Sequence, residues 1–225
     1  MPKVKDEYIA DKRNFILECT GEILKEKPLY LITMRDIIKK AGFSQGVIYR
    51  YYANLDEIFV DFINKHTTAY LLEQRVDALA SSGQTETDIL AGCLMLLGEY
   101  IEELVQSVVG KTFFELVVLY SGDPEKRNAI FPRLKLKQSL EYAQRKTMEY
   151  AMCNIVKGVF QPQLPIPSIL RFVSVFIDGI AHNAVYNTVE DGDRDSGPEA
   201  GISAMFQLLA KIVISYMEAK NNGDV

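Results

Sequence analysis

No 18-residue stretch of this chain is both apolar and free of charge, so the sequence holds no candidate for a membrane-spanning helix. Its opening residues, MPKVKDEYIADKRN, lack the apolar core of a secretory signal, and the expected location is the cytoplasm. Cysteine is scarce: Cys19, Cys93 and Cys153 are odd in number and far apart, which suits reduced, buried thiols better than a disulfide framework or a zinc site. Histidine is scarcer still. Neither His66 nor His182 has a glutamate three residues before it, the pairing that a di-iron helical bundle requires. The G-x-S-x-G nucleophile elbow, the G-x-x-x-x-G-K phosphate loop and the His-Glu-x-x-His zinc motif are all missing. These absences leave no expected catalytic residue, metal or cofactor, and they disfavour an enzyme.

What the chain does have is length and apolar content. With 225 residues and 48% hydrophobic composition it can bury a substantial core, enough for one domain and a small appended module. Its net charge of −5 is unevenly spread, with residues 1–52 at +3 and the remainder at −8. An acidic total argues against non-specific coating of a polyanion. Phosphate binding would therefore depend on local placement of Lys3, Lys5, Lys12, Arg13, Lys39 and Arg50. The Lys3 to Lys5 arm reads either as a backbone-following arm or as a solubilising terminus.

The basic end contains the most informative stretch, Thr33 to Asp56, which reads as two short helices around a glycine turn. Thr33 is placed to cap the first, which runs to about Lys40. Met34, Ile37, Ile38 and Ala41 fall on one apolar stripe, with Arg35, Asp36, Lys39 and Lys40 opposite. Gly42 supplies the freedom of a sharp turn, and Ser44 offers the cap of a second helix through about Tyr51. Phe43, Val47, Ile48 and Tyr52 are shared between core and seam, which leaves Gln45, Gly46, Tyr49, Arg50 and Tyr51 partly or wholly outside. Gly46 costs roughly 1 kcal/mol of helix propensity against alanine, and close approach to another surface is a reason for it. Phenol hydroxyls and guanidinium groups are good donors to phosphate.

The run Thr33 to Phe59, TMRDIIKKAGFSQGVIYRYYANLDEIF, resembles the DNA-binding segment of TetR-type transcriptional repressors. The likeness lies in the A-G-F-S turn, the recognition-helix tyrosine and the acidic start of the next helix. It implies that Thr33 touches phosphate and that Arg35 reaches base edges. Ser44, Gln45, Gly46 and Val47 would meet bases and adjacent phosphates, Tyr49 matches the phosphate-binding tyrosine and Tyr51 the tyrosine or histidine two residues on, while Arg50 between them is a phosphate donor on its chemistry alone. The chain departs from the family at Leu55, where a lysine is usual, and so loses one phosphate contact, a modest step in salt-dependent affinity. Chemistry supports the roles independently: Gln45 matches adenine and Arg35 guanine bidentately, each worth about 1–3 kcal/mol of discrimination. Val47 can touch a thymine methyl. Taken singly, Arg35 or Gln45 reads as a solvated side chain; the complete string reads as DNA binding.

The expected architecture is all-α, with a three-helix helix-turn-helix head at residues 1–52 and a larger helical effector-binding and dimerisation domain at 53–225. The leading helix spans about Asp6 to Lys25, and Asn54 caps a long helix through about Leu79. A helix from about Thr87 to Val109 is interrupted by Gly110. The run TFFELVVLY, Thr112 to Tyr120, is β-branched and aromatic, yet its helical neighbours make it a helix. Pro124 opens a short helix, and Phe131-Pro132 a longer one to about Phe160. QPQLPIP is a loop, and helices at about Ser168 to Val189 and Pro198 to Lys220 flank the acidic loop EDGDRDSG.

Tyr100, Phe113, Phe114, Tyr120, Met148, Met152 and Phe176 are the kind of side chains that line an adaptable apolar pocket, and equally ordinary core. Glu115 pairs with Lys111 one turn earlier or meets a cationic ligand. Asp178 and His182, one turn apart, read as a structural polar pair or as a ligand site. The helix at about Ser168 to Val189 is apolar around most of its circumference, with a narrow polar stripe of Arg171, Ser174, Asp178 and His182, so it is buried on two sides, and the terminal helix adds Ile202, Met205, Phe206, Leu209, Ile212, Val213 and Tyr216. The resemblance implies a two-fold four-helix interface here, for which Gly179, Ala181, Ala184, Met205, Phe206, Leu209 and Val213 are the candidates. The functional expectation is a homodimeric regulator, a repressor on a double-stranded pseudo-palindromic operator, released by a small apolar or aromatic effector. The alternative is a helical small-molecule-binding or interaction protein that has lost operator binding.

Overall fold

The computed structural model describes residues 3–186 and 201–218, and every regular element among them is helical. In chain order these are α1 (Lys3–Glu26), a 3-10 turn (Leu29–Leu31), α2 (Met34–Ala41), α3 (Gln45–Tyr51), α4 (Leu55–His66), α5 (Ala69–Ala80) and α6 (Glu86–Val105). They continue with α7 (Val108–Tyr120), α8 (Pro124–Ile130), a second 3-10 turn (Phe131–Arg133), α9 (Lys135–Val156), α10 (Ile166–Tyr186) and α11 (Ile202–Met217). The all-α class is as expected. The chain forms two compact units, one of α1 to α4 with α7 and α8, the other of α5, α6, α10, α11 and nearly all of α9.

In the first unit the helical spacing of Ile16, Leu17, Ile23 and Leu24 on α1 presents one face to Ile37, Ile48, Ile58, Phe59, Phe62 and Ile63, all buried. A Cβ at Gly21 would come within 3.0 Å of the Phe62 ring, so α1 and α4 pack at close range. α7 contributes Phe113, Phe114 and Leu116 to this core. Glu115, between them, is also buried, and its Oε2 accepts the Leu29 amide at 2.6 Å. A buried carboxylate needs such a partner, and Glu115 found it in the backbone of the 3-10 turn. Tyr120 donates to Asp56 Oδ1 at 2.5 Å, Lys126 pairs with the same carboxylate, and burial followed by the Asp56 bond pushes the Tyr120 phenol upward.

Three boundaries differ from expectation. The helix capped by Asn54 stops at His66, because Thr67 turns extended at φ −79° and ψ 142°, and α5 begins only after Thr68. Two consecutive β-branched residues are poor helix formers, although neither is as plain a breaker as glycine or proline. Further on, α6 ends at Val105, and Ser107 caps α7 by accepting the Gly110 amide at 2.9 Å. Gly110 therefore sits in the first turn of α7 and interrupts nothing. Phe131-Pro132 likewise makes a 3-10 turn before α9 rather than opening it.

In the second unit Gly98 of α6 faces Phe206 of α11, whose ring stands edge-on to Phe176 of α10 at 5.4 Å. The proline-rich stretch after α9 is tied to the end of α11, with the Gln161 amide donating to Met217 O at 2.8 Å and the Gln163 amide to Tyr216 O at 2.9 Å. Cys19 and Cys93 are buried, whereas Cys153 is exposed. His182 Nδ1 lies 2.9 Å from the Asp178 backbone carbonyl, so the expected side-chain pair is a ring-to-backbone bond. The EDGDRDSG loop and the side chains of Lys3, Lys5, Ala181 and Ala184 lie outside the described residues.

Candidate functional site

Thr33 caps α2 in a reciprocal box: its Oγ1 accepts the Asp36 amide at 3.3 Å, and Asp36 Oδ2 accepts the Thr33 amide at 2.8 Å. The Thr33 hydroxyl also donates to Asp36 Oδ2 at 2.8 Å, and Lys27 Nζ stands 3.0 Å from Oδ1. The Thr33 hydroxyl, then Lys27, then the Thr33 amide hold the Asp36 carboxyl down to about 2, from an ordinary value of 3.8. A depressed carboxyl stabilises the fold above its ordinary value and loses that contribution as pH falls. The start of α2 is therefore expected to loosen between about pH 4 and pH 2. Amide NMR of residues 33–37 across that range tests this, and an Asp36→Asn protein should lack the transition.

α2 closes on Gly42 in the left-handed region at φ 67°, where a side chain would be strained. Ser44 then takes the N-cap position of α3 with extended backbone, but its exposed side chain makes no capping bond. α3 is pinned from beneath by Ile48 and Tyr52, 0% and 1% exposed. That anchoring leaves Arg35, Gln45, Gly46, Tyr49 and Arg50 exposed, with Val47 and Tyr51 half-buried. Nothing lies within 4 Å of a Cβ built on Gly46, so no neighbour in the fold requires the glycine.

Tyr52 belongs to a partly buried network that the sequence reading missed. Its hydroxyl donates to Asp61 at 3.1 Å, Arg13 pairs with Asp61 at 2.5 Å, and the Arg13 guanidinium lies 4.6 Å from the Tyr52 ring centre. Burial first, then the Asp61 charge, pushes the Tyr52 phenol up to about 12. Tyr52, Arg13 and Asp61 thus brace the head at the edge of its core. They come from α1, the end of α3 and α4, and no local pattern joins positions so far apart. Lys12, by contrast, holds its ammonium 5.1 Å from the Phe43 ring centre, beside the turn that opens α3.

A family profile described as "Bacterial regulatory proteins, tetR family" matches residues 16–62, the span from mid-α1 to the end of the α4 core. The HTH-type transcriptional regulator YfiR of Bacillus subtilis (strain 168) is 28% identical over 215 residues, covering 95% of this chain and 97% of that protein. The chain belongs to the TetR family. The HTH-type transcriptional repressor KstR2 of Mycobacterium tuberculosis (strain CDC 1551 / Oshkosh) is 26% identical over 166 residues, with 73% of this chain and 77% of the repressor covered. Among solved structures, FadR from Bacillus subtilis in complex with stearoyl-CoA superposes with a TM-score of 0.58 at 16% identity, over 91% of this chain and 98% of FadR. This TetR-family protein is a DNA-binding transcriptional regulator.

The second unit of the TetR-type chain holds a partly open cavity of about 430 Å³ between α6, α9, α10 and α11. Leu90, Cys93, Leu94 and Leu97 line it from α6, and Ile166, Ile169, Leu170, Val173, Ser174 and Ile177 from α10. Met148 and Met152 stand on its α9 wall. The other aromatic candidates are elsewhere: Phe113, Phe114 and Tyr120 lie on α7 in the first unit, Tyr100 lines a smaller hollow with Leu71 and Arg75, and Phe176 packs on Phe206. Small residues such as Ala143 and Ala151 make room in the cavity wall, and nothing in their own sequence context singles them out. Of the candidate interface residues, Phe206, Leu209 and Val213 are buried in this unit, while Gly179 and Met205 are exposed.

Among the described residues no group of three or more His, Cys, Asp or Glu side chains could hold a metal ion, and no helix is long and apolar enough to cross a membrane.

Proposed function

We propose that this regulator is a homodimeric repressor of a pseudo-palindromic operator, released by a small apolar effector bound in the cavity of the second unit. The observation that carries the proposal is the outer surface of α3, where Gln45, Gly46, Tyr49 and Arg50 stand exposed on a helix anchored by Ile48 and Tyr52. Residues 1–52 read DNA in this account, and 53–225 bind the effector and pair the subunits. Gln45, Arg35 and Val47 meet base edges; Thr33, Ser44, Gly46, Tyr49, Arg50 and Tyr51 meet or approach the phosphates. The stearoyl-CoA complex of FadR supports an apolar-chain effector here.

Dimerisation is supported by exposed apolar residues at helical spacing, Phe172 and Val175 on α10 with Met205, Leu208 and Tyr216 on α11, in line with Gly179. Two heads can then place their recognition helices about 34 Å apart, on successive major-groove faces. An effector need only favour one head spacing: a 100-fold change in DNA affinity takes about 2.7 kcal/mol.

Selection of bound fragments from the host's genomic DNA supplies an operator for the test. Tyr49→Phe is expected to weaken binding to all sequences alike, roughly three- to tenfold. Gln45→Ala is expected to relax preference at one base pair by about 1–3 kcal/mol. If a salt-dependent gel shift finds both variants binding the selected DNA as the parent does, these residue roles are wrong.

A further inference from the structure

Leu134, the residue before α9, is fully buried and has no polar side-chain atom with which to cap that helix. The cap comes instead from Asn64, in the last turn of α4. Asn64 Oδ1 accepts the Lys135 amide at 2.8 Å, and its Nδ2 donates to Arg133 O at 2.8 Å, so one side chain holds a donor and an acceptor of the backbone where α9 starts. At Lys137 the helix passes from the first unit into the second, and it runs on unbroken to Val156. There it is bound to α5: the buried Ser139 donates to Glu73 at 2.5 Å, and the Tyr142 hydroxyl to Asp77 at 2.7 Å. Its side lines the cavity from Glu141 onward, roughly 9 Å of helix past Lys135. The direct chain from α4 to α5 is less continuous, because Thr67 is extended and ends α4. A helix transmits displacement along its axis, whereas an extended residue offers two soft dihedrals in its place.

We propose that Asn64 couples the cavity to the DNA-reading head by fixing the end of α4 to the start of α9, so that α9 splints the break at Thr67. A shift of the cavity wall then reaches α4 through this side chain, and α4 packs closely on α1 where Phe62 meets Gly21. The inference rests on reading the cavity as the effector site and the head as the reader of DNA. Asn64 is a positioning residue in this account and touches neither ligand. Two hydrogen bonds of ordinary strength carry a coupling of up to roughly 30-fold.

Coupling between two sites is reciprocal, so operator DNA can report on it without an effector. The test follows amide hydrogen exchange along α9 in the full chain, alone and saturated with the selected operator, for the parent, Asn64→Ala and Asn64→Asp. The aspartate keeps the shape and the acceptor for Lys135, but sets an oxygen against Arg133 O. In the parent, operator is expected to slow exchange in residues 139–152 by at least about threefold, because the bound head selects one position of α9. Both variants should bind operator within about threefold of the parent, with the slowing in α9 reduced to less than about 1.5-fold. If Asn64→Ala fails to fold, Asn64→Asp decides. No slowing in the parent, or the same slowing in the variants, overturns the proposal. So does loss of operator binding by the variants at an unchanged melting temperature, which would make Asn64 a support of the head alone. A parent protein that shifts no DNA removes the regulator reading itself, and the coupling with it.

Discussion

Replacing Gly46 by leucine is expected to lower affinity for the selected operator at least about 100-fold, a loss of about 2.7 kcal/mol, while leaving the protein folded. The two halves of that expectation come from the same observation. Gly46 is helical, exposed, and has open space where a side chain would stand, so the fold itself does not exclude one. Alanine there should even raise stability, by up to about 1 kcal/mol of helix propensity. A residue that costs the helix something and relieves no crowding within the chain is explained by crowding outside it. Between Gln45 and Val47, that outside surface is DNA in the proposed reading, and a leucine would hold the helix start away from the bases assigned to Gln45. The loss then equals one or two base contacts of about 1–3 kcal/mol each. Thermal melting and anisotropy of labelled operator separate stability from binding. A Gly46→Leu protein that melts as the parent does and binds as the parent does would show that α3 never approaches DNA closely at its first turn.

The head was legible because its signals are local. Thr33 and, just past the head, Asn54 cap helices through bonds to amides a few residues on, and Gly42 closes α2 in a conformation suited to glycine. Such chemistry is written within one turn of chain. The breaks at Thr67 and Gln106 were less visible, because neither carries glycine or proline and the apolar period runs through them. Glu115 shows a different limit. Its partner is a backbone amide 86 residues away, and an amide has no sequence signature. The cavity was legible in kind but not in place. Aromatic and thioether residues mark apolar interiors in general, and only the packing of α6, α9, α10 and α11 decides that Met148 and Met152 face a hollow while Phe176 meets another ring. The last helices were recognisably apolar on two sides. On α11 the inward side is the one that carries Phe206, packed against Gly98 on another helix altogether.

That glycine carries the other large expectation. A Cβ at Gly98 would sit closer than 3.0 Å to both Cβ and Cγ of Phe206, which is fully buried. Gly98→Ala is therefore expected to destabilise the protein by roughly 1–3 kcal/mol through overpacking, even after the propensity gained in α6. Phe206→Ala should cost about 3–5 kcal/mol, since it removes a buried ring and its edge contact with Phe176. The pair is more telling than either alone. Alanine at 206 retains the Cβ, the nearest of the three clashing atoms, so Phe206→Ala should not rescue Gly98→Ala, and relief must come from movement of the α11 backbone. That movement would carry Met205, Leu208 and Tyr216 with it, because all three sit on the outer side of the same helix. In the homodimer proposed above, Gly98→Ala should thus weaken association as well as folding, although Gly98 itself is buried in α6. Urea unfolding and sedimentation of the single and double variants measure both effects. Full recovery of stability in the double variant would mean that the ring alone, and not the approach of the two helix backbones, sets the fit between α6 and α11.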